Sequence, residues 1–327
     1  MSQSRRSKPG ADCVIAADVG GTNLRAAVIN ESGQVLERFK QHTPKTETPV
    51  EMIGAFVSAA RELMERQSVR EHAHIRGMAI AVPATVDVKQ GVVMRAPNVP
   101  SLDGLRLTAA LEQELSLPVI IENDANAAAV GEMWQGAARN QRTIICLTLG
   151  TGVGGGIILD GELWRGADGT AGEIGHLIVE PVGYPCPCGG RGCLEVYGSA
   201  TAIVRMAREM RPRYPNSTIH TIEDLSAEKL YKLGLAGDEL AREVFRRVGF
   251  YLGVGLTSLI NLLNPEMIVI GGGAAAGWEL FDDHMREQIA SRAFAVPARR
   301  AKIVRAECDD NAGLLGAAHL AFTSLAR

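Results

Sequence analysis

The chain has 327 residues, 46% of them hydrophobic and 22% charged, the ordinary balance of a globular protein and a length that favours two domains over one. A formal net charge of -3 and an aromatic content of 5% give neither the basic footprint of a nucleic-acid or acidic-membrane binder nor a stacking platform for single strands. No apolar run reaches the roughly 20 residues that a membrane-crossing helix requires, so neither nucleic acid nor membrane is an expected partner.

Residues 1–12 are polar and basic at their start, without the apolar stretch of a signal peptide, and are expected to form a disordered tail. Three strands in a meander follow, at Cys13 to Asp18, Leu24 to Ile29 and Val35 to Phe39, with a turn signal at Glu31-Ser-Gly33. Apolar residues at helical spacing run from Val50 to Arg66. A buried strand from Ile75 to Val82 stops at Pro83. A helix is expected from Leu105 to Leu115, and a strand from Pro118 to Ile121 that ends at Glu122-Asn-Asp124. A similar layout then repeats: a helix from Ala125 to Trp134, a strand from Thr143 to Leu149, a glycine turn, and a strand from Gly154 to Leu159. A cysteine-rich insertion interrupts it. Helices are expected at Ser199 to Met210, Ile222 to Leu235 and Asp238 to Leu263, the last with Asp238 as its N-cap. A strand from Met267 to Ile270, a helix from Trp278 to Ile289, a strand from Ala301 to Val304 and a helix from Gly313 to Ser324 complete the chain. The implied division is a domain of residues 13–123 plus 312–327 and a second of 124–311 that holds the insertion 173–195.

A strand ending in a Gly-Thr turn occurs twice, and each turn leads to another strand rather than to the helix of a P-loop or dinucleotide fold. In the first, Asp18 precedes Gly20, Gly21, Thr22 and Asn23. Glycines let backbone N–H groups approach phosphate oxygens, Thr22 adds a hydroxyl, and Asp18 can hold Mg²⁺ through water. The second comprises Gly150, Thr151 and Gly152. Either turn, taken alone, is also readable as an ordinary tight hairpin. Gly271, Gly272 and Gly273 end a later strand, where a ribose or adenine can lie against backbone, or where the chain simply turns. Asp124 can accept a proton from a hydroxyl during phosphoryl transfer; on spacing alone, capping of the following helix is the simpler reading.

The insertion carries the most specific local signal. His176, Cys186, Cys188 and Cys193 supply the one imidazole and three thiolates of a closed tetrahedral Zn²⁺ site. The Cys-x-Cys-x₄-Cys spacing is not that of a redox pair. Glu173 and Glu195 flank these ligands, and ionised carboxylates are strong acceptors for sugar hydroxyls. Asn98, in Ala-Pro-Asn-Val-Pro, is a turn former or a further polar ligand. Cys13, Cys146 and Cys308 read as buried free thiols. Together with the thiolate cluster they lead to an expectation of a reducing, cytoplasmic setting.

Taken in order, Asp18-Val-Gly-Gly-Thr22, Glu122-Asn-Asp124-Ala-Asn126, Leu149-Gly-Thr-Gly-Val-Gly-Gly155, Glu173-Ile-Gly-His176 and Cys186-Pro-Cys188-Gly-Gly-Arg-Gly-Cys193-Leu-Glu195 resemble the ROK family of sugar kinases and sugar-responsive repressors. They span nearly the whole chain. The resemblance implies a two-domain α/β fold of the actin/hexokinase (ribonuclease H-like) type, with ATP, Mg²⁺ and sugar in the cleft between domains. It implies Asp124 as general base, and Asn98, Asn123, Glu173, His176 and Glu195 around the sugar, with His176 also on Zn²⁺. The three glycine turns would take the phosphates and adenosine. The family's repressors carry an N-terminal helix-turn-helix, for which a dozen residues before the first strand are too few. The expectation is therefore a hexose kinase acting at C6, glucose first and N-acetylmannosamine next, as a homodimer or homotetramer. A sugar sensor without its own DNA-binding domain and an actin-like ATPase are the readings from other classes.

Overall fold

The computed structural model describes residues 10–325, so the expected tail falls for residues 1–9 outside the described part. The first strand already begins at Ala11. Asp12, expected in the tail, is instead held in the sheet by Arg76 Nη1 at 3.0 Å and His74 Nδ1 at 2.8 Å.

Among the described residues the fold divides into two compact units. One contains the chain up to Gly136, residues Arg165–Thr170 and the chain from Asn311; the other contains Ala137–Trp164 and Ala171–Asp310. The sequence reading gave Asp124–Gln135 to the second domain, whereas this helix lies in the first unit. Close packing against the closing helix, Ala312–Leu325, keeps it there. A β-carbon on Gly131 would stand 2.1 Å from the Ala312 carbonyl oxygen, and one on Gly316 would stand 1.7 Å from that of Ala127. Only hydrogen at these positions lets the two backbones meet. Gly316→Ala is therefore expected to cost about 1–3 kcal/mol or more by overpacking. A urea midpoint unchanged from wild type would show that the two helices tolerate separation.

The two units repeat one sheet topology. In the first, the order is Val35–His42, Asn23–Asn30, Ala11–Val19, Ala73–Val82, Val119–Asn123. The first three strands form the expected antiparallel meander, and the last two add in parallel. In the second, Glu162–Leu163, Val153–Leu159 and Ile144–Leu149 are antiparallel, and Met267–Gly271 and Lys302–Arg305 add in parallel. Parallel strands carry helices on their faces and so read as continuous apolar runs. Cys13–Ala17 and Ile268–Ile270 are accordingly fully buried, each run in its own unit's core.

The expected helices are present with shifted ends. The helix Glu239–Leu263 is capped as anticipated, with Asp238 accepting from the Ala241 N–H at 3.0 Å. The helix expected from Ile222 starts at Ala227 instead, because Ser226 caps it by accepting from the Lys229 N–H at 3.2 Å. A short hairpin of Thr85–Asp87 with Val92–Arg95 and helices at Gln67–His72 and Ala295–Arg300 were not foreseen; each is shorter than the window over which periodicity becomes legible. No helix among the described residues is long and apolar enough to cross a membrane.

Candidate active site

In the first unit, the strand pair Ala11–Val19 and Asn23–Asn30 turns through Gly20–Thr22, closed by the Gly20 N–H donating to the Asn23 carbonyl at 2.9 Å. Thr43, one residue past the strand Val35–His42, braces the turn, its hydroxyl on the Gly20 carbonyl at 2.6 Å and its N–H on that of Thr22 at 2.9 Å. Gly21 and Thr22 are exposed. Asp18 faces Arg25 Nη2 at 3.2 Å across the pair. The exposed Asn98 belongs to the same neighbourhood, since its carbonyl oxygen lies 3.9 Å from where a Gly21 β-carbon would sit.

The strand Val119–Asn123 runs directly into the helix Asp124–Gln135. The N-cap is Asn123, whose Oδ1 accepts from the Asn126 N–H at 3.0 Å. This corrects the simplest sequence reading, in which Asp124 was the cap. Asp124 is the first helical residue; its Oδ1 accepts from the Ala125 N–H at 2.8 Å and from Asn123 Nδ2 at 3.2 Å. A half-buried carboxylate is thereby fixed in the first turn of the helix, at the positive end of the macrodipole. Its role is not spent on capping.

In the second unit, the turn Gly150–Gly152 closes with the Gly150 N–H on the Gly152 carbonyl at 2.9 Å. The helix Ala200–Met210 begins beside it. Its Ala200 N–H donates to the Gly150 carbonyl at 2.8 Å and its Thr201 hydroxyl to the Thr151 carbonyl at 2.8 Å. A helix N-terminus next to an exposed Gly-Thr turn suits an anion. Gly272 has φ +87°, and a β-carbon there would lie 2.6 Å from the Leu149 backbone. The third glycine run, Gly271–Gly273, therefore abuts the strand that leads into the second. A cavity of about 520 Å³ opens beside Thr151, lined by Thr201, Val204, Arg205, Leu225 and Ala227 among others. These residues carry no motif that marks them in the sequence.

The insertion folds as a knuckle. The Cys186 N–H donates to the Gly190 carbonyl at 2.9 Å, the Gly189 N–H to the Cys186 carbonyl at 3.0 Å, and the Gly190 N–H to Cys188 Sγ at 3.4 Å. His176, Cys186, Cys188 and Cys193 converge, with their ligand atoms all within 4.8 Å of one another. Tetrahedral Zn²⁺ with Zn–S of about 2.3 Å and Zn–N of about 2.0–2.1 Å sets edges of roughly 3.8 Å for S···S and 3.6 Å for S···N. Cys188 Sγ to Cys193 Sγ and Cys186 Sγ to His176 Nδ1 both measure 3.7 Å. The donor set and its spacing fit a structural Zn²⁺. Burial pushes the Cys186 and Cys193 thiols upward, whereas the Gly190 N–H draws the Cys188 thiol down. An ion bound here displaces protons, so acid weakens it.

Three of the predicted sugar ligands, Glu173, His176 and Glu195, are tied to this knuckle. His176 turns Nδ1 to the sulfurs and Nε2 towards Glu173, 3.8 Å from its Oε2. Glu195 sits two residues after Cys193, with Oε1 3.9 Å from Cys186 Sγ. Its Oε2 accepts from the Val153 N–H at 3.0 Å, at the end of the second glycine turn. Glu173 is exposed and Glu195 half-buried. The unit thus places metal ligands, carboxylates and glycine turns in contact, although they come from three separate stretches of sequence.

The chain is 33% identical over 311 residues to the glucokinase of Thermotoga maritima, covering 94% of this chain and 96% of that one. A crystal structure of a ROK family glucokinase from Streptomyces griseus in complex with glucose and AMPPNP superposes with a TM-score of 0.81 at 34% identity, covering 95% of this chain and 99% of that one. A xylose repressor of Caldicellulosiruptor bescii is 34% identical over 247 residues, 74% of this chain and 61% of the repressor. The ROK family profile matches residues 14–324, and the chain belongs to that family of two-domain α/β proteins.

Proposed function

We propose that this ATP-dependent sugar kinase transfers the γ-phosphoryl group of Mg-ATP to the C6 hydroxyl of a hexose, with glucose as its first substrate. The observation that carries the reading is the fixed Asp124 carboxylate at the end of the strand Val119–Asn123, in a chain similar along almost its whole length to glucokinases. Asp124 would take the proton of the C6 hydroxyl as the new O–P bond forms and the bond from the γ-phosphorus to the β–γ bridging oxygen breaks, leaving ADP. Asn98, Asn123, Glu173, His176 and Glu195 would accept and donate hydrogen bonds around the sugar ring. Residues 18–23 and 150–152 would take the phosphates, with Asp18 reaching Mg²⁺ through water. Gly271–Gly273 and the cavity beside Thr151 would take the nucleoside.

Zn²⁺ in this reading is structural. His176, Cys186, Cys188 and Cys193 would hold it, and its contribution is to fix the loop that bears Glu195. The similarity to xylose repressors supports a second reading, a sugar sensor without turnover. Sugar-dependent ADP release from Mg-ATP across hexoses and N-acetylhexosamines separates the two. Turnover highest with glucose is the expected result. A preference for N-acetylmannosamine would keep the mechanism and change the substrate. Absence of turnover with every sugar, from folded zinc-loaded protein, would sink the kinase reading and favour the sensor.

A further inference from the structure

Glu122 precedes the Asn123–Asp124 turn and is 2% exposed. A buried carboxylate offers about four lone-pair directions, each of which wants a donor. Here four donors meet it. Oε1 accepts from the Asn123 N–H at 3.0 Å and from Asn126 Nδ2 at 3.1 Å; Oε2 accepts from Arg165 Nε and Nη2, both at 2.8 Å. Arg165 supplies the positive charge in this set. It opens the six-residue stretch Arg165–Thr170, which belongs to the first unit although the chain on either side belongs to the second. Within that stretch Asp168 turns back on Thr170, accepting from its hydroxyl at 2.6 Å.

Oε1 holds two groups of the helix's opening turn, the N-cap residue Asn123 by its backbone and Asn126 by its side chain. Asn126 is itself 2% exposed, and its Oδ1 has no hydrogen-bond partner. The orientation of Glu122 is thus transmitted to the residues on either side of Asp124. A buried carboxylate stripped of its counter-charge must protonate, rotate or admit water. Each response withdraws an acceptor from the turn. A base displaced by about 1 Å from its productive position loses on the order of 10²-fold in rate.

We propose that Arg165 is a positioning residue for phosphoryl transfer: by holding Glu122 it sets the geometry of the Asn123–Asp124 turn. This rests on the kinase reading of Asp124. The guanidinium of Arg165 is bonded to Glu122, and it acts on Asp124 through that carboxylate.

The test is steady-state kinetics of the full-length, zinc-loaded protein on Arg165→Met, Arg165→Lys and the double variant Glu122→Gln/Arg165→Gln, with active sites counted by a single-turnover burst. Arg165→Met is expected to lower kcat per active site at least ~10-fold and to raise the sugar KM through Asn123, with the ATP KM within about twofold of wild type. Arg165→Lys, which keeps the charge but not the planar fork, is expected to fall between. The double variant, which leaves no unpaired charge, is expected to recover a large part of kcat, a non-additive result. Amide exchange at Ala125 and Asn126 is expected to be faster in Arg165→Met than in wild type.

Wild-type kcat and sugar KM in folded Arg165→Met would overturn the proposal. So would a loss accounted for entirely by fewer active sites, or a double variant no more active than Arg165→Met. If Arg165→Met does not fold, the Lys and double variants decide. A wild-type protein without turnover on any sugar would defeat the kinase reading instead. In that case unchanged amide exchange in Arg165→Met would separately remove Arg165 from control of the turn.

Discussion

Asp124→Ala is expected to lower kcat by at least ~10²-fold while changing the sugar KM only modestly, the signature of an interaction made chiefly in the transition state. The carboxylate is half-buried and anchored by the Ala125 N–H and by Asn123 Nδ2, and the helix is capped by Asn123, so the substitution removes the proposed base without removing the cap. Fold stability should therefore change little, and the kinetic effect is separable from unfolding. Asp124→Asn is the sharper comparison. It keeps the shape and an acceptor for the Ala125 N–H, and it is expected to be comparably inactive because an amide oxygen does not take the proton. Near-wild-type turnover in either variant would remove Asp124 from the mechanism.

The second large effect is expected at the knuckle. Cys188 is exposed, whereas Cys193 is 2% exposed and Cys186 is 6% exposed. Cys188→Ser therefore probes ligation with little disturbance of the core. Losing one of four ligands is expected to weaken zinc at least ~10-fold, since even outer partners of metal ligands are worth 10–100-fold. The sugar KM is expected to rise in parallel, because Glu195 lies beside Cys186 and two residues after Cys193. Zinc stoichiometry by metal analysis and sugar affinity by calorimetry check the two halves independently. Full sugar affinity in zinc-free protein would show that the Val153 N–H alone suffices to hold Glu195.

A short stretch of chain announces only what its own chemistry encodes. Apolar runs identified nine of the ten strands described in the two sheets, missing the two-residue strand Glu162–Leu163, and Asp238 identified a helix start, because periodicity and capping act over a few residues. The three thiolates and one imidazole were legible because ligand type and loop glycines lie within a single insertion. The repeat of strand, glycine turn and strand was legible for the same reason, and it matches the two sheets of identical strand order. The tertiary structure alone decided the rest. Asn123 rather than Asp124 caps the helix, because the residue with extended backbone at the strand end takes the cap, and both types are good caps. Gly131 and Gly316 serve a close helix contact whose partner is remote in sequence. Arg165 meets Glu122 across 43 residues, and no local pattern announces it. Such pairs depend on topology: a side chain's charge and reach are written in its residue type, but the partner it meets is set by where the folded chain brings it.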